Sequence, residues 1–269
     1  MVETSPDSSL SLPATLRRDA ILALVRDRGF VRVGELSTAF GISAVTVRTD
    51  LDALESAALL ARVHGGAVAA GREPIAEPAF EQSLSALWDQ KQRIAAAAAA
   101  LVVSGSSLIL DVGTTATALA RALVARDDLQ DLVIFTNGLS VALELERAIP
   151  RFTVIVSGGT LRPLQHSLVN PLADSLFASI HADMAFIGCS GVDAAHGVTN
   201  INLPEAEIKQ RMLGAARVRI VLADSSKIGQ LHLGRVGALS DLDRLITGTE
   251  APAAQIQELR DAGLEVTLV

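Results

Sequence analysis

Four short loops carry residue types suited to holding a small anion. They are DVGTT at 111–115, TNG at 136–138, SGGT at 157–160 and ADSSK at 223–227. Glycine lets backbone come close, Ser and Thr donate hydroxyl bonds, and free N–H groups at a helix start attract negative charge. Asp111 and Asp224 are suited to accept from hydroxyls, and Lys209 and Lys227 to add positive charge. Together this chemistry fits a small phosphorylated polyol or sugar. Each loop alone also reads as an ordinary strand-to-helix turn, so the weight rests on there being four in one domain.

A second chemistry sits near the N-terminus. Ser43 is a natural helix cap, and Thr46, Arg48, Thr49 and Asp52 follow on one face of the helix that it opens. Ser and Thr bond base edges or phosphates, and Arg bonds guanine or phosphate, so this helix start suits the major groove of DNA. Val47, Leu51 and Leu54 form its inward stripe.

These residues need elements to hold them. Leu16, Ala20, Ile21, Leu24 and Val25 space one helix over 15–28, which Gly29 ends. A second covers 33–40, with Gly41 as its left-handed stop. Short apolar runs at 59–63 and 67–69 flank His64-Gly65-Gly66, the pattern of a hairpin wing whose Arg62 and His64 can reach the DNA backbone. From periodicity alone, the same three helices also read as a small bundle for protein docking. Residues 71–78 hold Pro74 and Pro78 and read as a linker; 80–103 reads as one or two helices. Beyond 106, apolar runs at 107–112, 132–136, 153–156, 184–187, 219–223, 244–247 and 265–268 predict strands. Helical patterns at 115–125, 139–147, 171–180, 204–215 and 253–262 lie between them. Strands alternating with helices imply a mostly parallel sheet covered on both faces, with ligands at the C-terminal strand ends.

Composition bounds the rest. The chain has 269 residues and a net charge of −7. Residues 14–72 hold eight Arg against six acids, so this segment alone is suited to approach phosphates. The longest apolar run, 94–103, is too short to span a bilayer, and the start of the chain has no signal-peptide pattern. One cysteine, Cys189, suits a reducing cytoplasm, and five scattered histidines give no metal-ligand spacing. No metal or cofactor is expected.

The segment FGISAVTVRTDLDALESAALLARVHGGAV resembles the DNA-binding segment of the DeoR family of bacterial transcriptional regulators. Phe40, Gly41, Ser43, Thr46, Arg48, Asp50, Leu51, Leu54, Glu55, Arg62, His64, Gly65, Gly66 and Ala67 match its pattern in register. Thr49 stands where the family has a second Arg, and Ala58 where it has Gly. DVGTT, TNG, SGGTLR, Asp183, Phe186, Gly188, Gly191, Gly197, Lys209 and LADSSK resemble the family's sensor domain, which is similar to ribose-5-phosphate isomerase and binds a phosphorylated sugar. Asn170 and Cys189 depart from the pattern; Asn170, Gln165 and His166 would tune which sugar fits.

The expected fold is therefore α/β: a winged helix-turn-helix at 14–70, after a disordered tail at 1–13, then a linker and helix start at 71–90. A mostly parallel sensor and oligomerisation domain follows at 91–269. The expected function is that of a cytoplasmic, homo-oligomeric regulator of carbohydrate metabolism, most readily a repressor, released from double-stranded operator DNA by a phosphorylated sugar. The DNA-contacting set is Arg32, Ser43, Ala44, Thr46, Val47, Arg48, Thr49, Arg62, His64 and Gly65. By the resemblance, the pocket set is Asp111, Gly113, Thr114, Thr115, Thr136, Asn137, Gly138, Gly158, Gly159, Lys209, Asp224 and Lys227. The competing reading is a sugar-phosphate isomerase with an appended helical domain, using Glu205 or Asp111 with Lys209. A third is a DNA-binding module whose C-terminal domain only oligomerises.

Overall fold

The computed structural model describes residues 13–28, 30–57, 59–63, 66–69 and 77–269. The chain divides into two units, Met1–Ala76 and Glu77–Val269. The expected disordered tail lies outside the described residues, save Pro13.

In the first unit, α1 (Ala14–Arg28) is followed by β1 (Phe30–Arg32) and α2 (Val33–Phe40). Gly41 ends α2 at φ 62°, a left-handed backbone that glycine adopts without steric cost. α3 (Ala44–Ser56) starts at Ser43, whose hydroxyl accepts from the Thr46 amide at 3.1 Å. Ile21, Val25, Leu36, Val47, Leu51 and Leu54 are buried together, so three helices share one core. β2 (Leu60–Val63) and β3 (Gly66–Ala69) pair antiparallel as the expected wing. β1 pairs with the other edge of β3, a third strand too short to show a period in the sequence.

The second unit begins with α4 (Phe80–Ser85) and α5 (Trp88–Ala99), broken at Leu87, whose φ is 52°. Then follow β4 (Ser107–Leu110), α6 (Thr114–Val124), β5 (Leu132–Thr136), α7 (Leu139–Leu145) and β6 (Phe152–Val156). A hairpin, β7 (Thr160–Arg162) and β8 (Ser167–Val169), leads to α8 (Leu172–Ala178) and β9 (Ala182–Gly188). β10 (Gly191–Asp193), β11 (Gly197–Asn200), α9 (Leu203–Gly214) and β12 (Ala216–Leu222) come next. β13 (Gly234–Gly237), β14 (Arg244–Thr247), α10 (Ala253–Asp261) and β15 (Glu265–Leu268) complete the chain.

All seven strands expected from the apolar runs are present. They form one wholly parallel sheet in the order β15-β14-β12-β9-β4-β5-β6. Its side chains alternate between two cores. Leu108, Leu110, Phe186, Ile220 and Leu222 face α5, α6 and α7, while Ile109, Ala185, Ile187 and Val221 face α8, α9 and α10. Burial on both faces is why these strands read as unbroken apolar runs. The antiparallel group β10-β11-β13 and the hairpin β7-β8 were not legible, being three or four residues per strand. Among the described residues, no helix is long and apolar enough to cross a membrane.

The strand order has one reversal. From β4 the chain steps to β5 and β6 on one side, and from β9 to β12, β14 and β15 on the other. The gap between the C-terminal ends of β4 and β9 is therefore the place where a parallel sheet opens a crevice.

Candidate functional site

The two candidate sites lie in different units. In the first, the start of α3 presents Ser43, Val45, Arg48 and Thr49 outward, all exposed. The Thr49 hydroxyl is turned back on the Val45 carbonyl at 3.1 Å, and Thr46 is half-buried with its hydroxyl 2.9 Å from that of Ser43. Arg48 is thus the cation of the exposed helix face. Val47 must be corrected: it is fully buried in the three-helix core and belongs to no contact surface. Ala44 is half-buried and packs on the same core. Arg32 is exposed ahead of α2, and its amide donates to Glu35 at 3.3 Å. The Arg62 guanidinium pairs with Asp52, and its amide donates to Glu55 at 2.8 Å, which fastens the wing to α3. His64 and Gly65 lie outside the described residues.

Two residues of this unit were missed. Val45 is 69% exposed although apolar, one turn before Arg48 and Thr49 on the same face. A valine there suits a thymine methyl. Asp50, matched to the family pattern but given no role there, is buried and accepts from Arg17 at 2.6 Å and Arg18 at 2.9 Å. Burial works to raise its pKa, but the two guanidinium groups outweigh it and hold the carboxyl below the usual range.

In the second unit, a cavity of about 270 Å³ lies at the β4–β9 reversal. Gly113, Thr114 and Thr115 line it from the start of α6, where helix amides lack partners within the helix. Lys209 enters from α9, and Asp224 and Lys227 from the loop after β12. Asp111 stands directly behind. It is fully buried, its Oδ2 paired with the Lys209 ammonium and accepting from the Gly188 amide at 2.9 Å. Burial pushes the Asp111 carboxyl up, against the pull of Lys209. Burial also works to lower Lys209, but Asp111 and Glu205 outweigh it, so the ammonium keeps its proton. Contact between the groups, with an added amide donor, is the geometry of an ion pair. The Oδ1 atom of Asp111 is buried with no hydrogen-bond partner.

Five expected pocket residues lie elsewhere. Thr136, Asn137, Gly138, Gly158 and Gly159 do not line the cavity. They end β5 and β6, on the far side of β4 from β9, and the β7-β8 hairpin covers them. The Asn137 side chain donates to the Leu168 carbonyl at 3.2 Å, and Gly138 bridges Ser167. The Thr136 hydroxyl accepts from the Gly138 amide at 3.0 Å. Gly159 has φ 135°, and an added Cβ would lie 2.0 Å from the Val169 carbonyl oxygen. Its glycine serves the hairpin.

Other residues take their place. Residues 77–91 form one wall, including Glu77, Ser83, Leu87 and Lys91. Lys91 is 4% exposed, and its ammonium donates to the Ser83 carbonyl at 2.5 Å. Burial lowers its pKa, Asp224 opposes this, and Lys227 adds to it. A buried lysine in an alanine-rich helix was the available signal. Glu205 lines the opposite wall, accepting from Ser167 at 2.6 Å and pairing with Arg162. Burial raises the pKa of the cavity-lining thiol of Cys189 to about 12.

A shallower groove of about 440 Å³ runs past His196, His232 and Arg235. It contains none of the residues expected to contact DNA or ligand.

Comparison with known proteins identifies both units. Residues 17–73 match the family described as DeoR-like helix-turn-helix domain, and residues 88–249 match the DeoR C terminal sensor domain. The HTH-type transcriptional repressor CsqR of Escherichia coli (strain K12) is 32% identical over 261 residues, covering 97% of this chain and 98% of that protein. The glycerol-3-phosphate regulon repressor of the same organism is 30% identical over 254 residues, covering 94% and 98%. Among solved structures, ribose 5-phosphate isomerase A from Methanocaldococcus jannaschii gives a TM-score of 0.39 at 20% identity, over 54% of this chain and 56% of that one. That likeness is too slight to argue from. The two family matches and the near full-length relatives agree, and the chain belongs to the DeoR family of DNA-binding transcriptional regulators.

Proposed function

We propose that this regulator is a repressor of carbohydrate-metabolism genes, released from its operator when a phosphorylated sugar or polyol fills the cavity between β4 and β9. The observation that carries this reading is a pair of lysines at the mouth of a helix. Lys91 and Lys227, neither in a salt bridge among the described residues, line the cavity with the open amides of α6. The carboxylates of Glu77, Glu205 and Asp224 line it with them. A phosphate suits the lysines and the helix amides, and the hydroxyls of a sugar or polyol suit the carboxylates. The printed name of one relative, a glycerol-3-phosphate regulon repressor, is in keeping with this.

Isomerase chemistry needs a carboxylate free to take a proton from carbon. Glu205 is held by Arg162 and Ser167, and Asp111 by Lys209 and Gly188, which favours binding over catalysis. The protein acts as a homo-oligomer, so that two α3 helices meet successive major grooves at paired half-sites.

Fluorescence anisotropy on DNA from upstream of the protein's own gene tests this reading, with glycerol 3-phosphate and ribose 5-phosphate as probes. Tight binding that a probe reverses is expected; binding indifferent to every phosphorylated sugar overturns the ligand class. In the same assay Arg48→Ala should weaken operator binding by about 1–3 kcal/mol, roughly ten- to hundredfold, with its melting curve unchanged. Unaltered DNA affinity would remove α3 from the interface.

A further inference from the structure

The cavity wall formed by residues 77–87 is the first part of the second unit in the chain, directly after the segment joining the two units. It is tied down at two places. The first is the turn of the β7-β8 hairpin. The Phe80 amide donates to the Leu164 carbonyl at 2.9 Å, the Gln165 side chain donates to the Pro78 carbonyl at 2.6 Å, and the Phe80 and His166 rings stack at 4.8 Å. Arg162 completes this seat. One guanidinium nitrogen meets Glu77 at 2.5 Å and the other pairs with Glu205 in the opposite wall. All three side chains are largely buried, at 18%, 15% and 5% exposed respectively. The second tie is Lys91, whose ammonium holds the Ser83 carbonyl. Between the strap and α5, Leu87 has φ 52°, a left-handed conformation that a leucine adopts only under constraint.

The two ties differ in what a ligand does to them. An anion at the Lys91 wall offers the ammonium a charged acceptor, stronger than the neutral Ser83 carbonyl, and pulls it toward the cavity. Arg162 has no such competitor, because its two partners are both carboxylates of the protein. Its planar fork fixes where Glu77 sits relative to Glu205.

We infer that residues 77–87 are a strap whose seating reports occupancy of the cavity to the DNA-reading unit, and that Arg162 is the positioning residue that seats it. This rests on the ligand class proposed above. The seated strap belongs to the operator-binding state. A phosphorylated ligand draws Lys91 off Ser83, and therefore binds the unseated strap better, which is the differential affinity that release from DNA requires.

The experiment compares the full-length wild type with Glu77→Ala and Arg162→Lys. Glu77→Ala removes the acceptor and leaves Arg162 its Glu205 partner; Arg162→Lys keeps charge and loses the fork. Without any sugar phosphate, amide hydrogen exchange over 80–87 should be about tenfold faster in both variants, the loss expected for one charge-assisted bond. Operator affinity should fall by about tenfold, again without ligand, as though the protein were already induced. Ribose 5-phosphate or glycerol 3-phosphate should then add little further release. Wild-type exchange rates in both variants, or wild-type operator affinity in both, overturn the strap. A wild type that ignores both probes counts against the ligand class alone, while the exchange and affinity results still decide for or against the strap.

Discussion

Replacing Asp50 by alanine should abolish operator binding by unfolding the DNA-reading unit rather than by removing a contact. The carboxylate lies inside the three-helix core and holds Arg17 and Arg18 of α1 against α3. Without it, Arg17, only 9% exposed, and Arg18, 36% exposed, lose the carboxylate that they share across the α1–α3 contact. Removing one partner of such a pair costs about 3 kcal/mol or more, a large share of the stability of so small a unit. Hydrogen exchange over α3 and operator anisotropy should therefore collapse together, whereas Arg48→Ala loses affinity with exchange intact. The same group sets an acid limit. Its pKa is depressed in the folded unit, so its contribution is fully present above the unfolded carboxyl value of about 4. It is lost as pH falls through the lower folded value. Protection factors over α3, taken relative to the intrinsic exchange rate at each pH, should stay flat from neutral pH to about 4 on this account and fall below it. Wild-type affinity and protection in Asp50→Ala would show that the core does not depend on this pair.

Lys209→Met should destabilise the sensor unit by about 3–5 kcal/mol, because it leaves the buried Asp111 carboxylate without its cation. For a unit of this size that is a fall of roughly 6–20 °C in melting temperature. The double variant Asp111→Asn, Lys209→Met removes both charges and should recover much of the loss, since a buried pair is costly chiefly when broken. Neither should respond to a sugar phosphate. A double variant as unstable as the single one would mean that the ammonium, not the pair, carries the stability. This differs from a residue serving ligand alone, which the sequence pattern of Asp111 and Lys209 suggested.

The sheet was legible for a physical reason. Runs such as 108–110 and 220–222 are buried on both faces of the sheet and are therefore apolar without alternation. The α3 start was equally plain, since Ser43 caps and Gly41 stops as their types require. What was hidden depends on strand order. The rule that ligands sit at strand ends selects loops one by one, and Thr136–Gly138 and Gly158–Gly159 satisfy it. Only the order β9-β4-β5-β6 shows that those ends lie away from the reversal. Val47 failed in the opposite way: its period placed it inward with Leu51, yet its position in the first turns put it among the DNA contacts. The burial of Lys91 and Asp50 went unread because a charged residue on a helix is usually solvated, and burial by distant segments leaves no local mark.

Cys189 is the one cysteine of the chain, and its thiol, lining the cavity, is raised to about 12. The sulfur is half-buried on that wall and kept as the unreactive thiol at neutral pH. An alkylating reagent should therefore mark it slowly, and an occupant that covers the wall should slow the marking further, which makes this one atom a clock for the crevice.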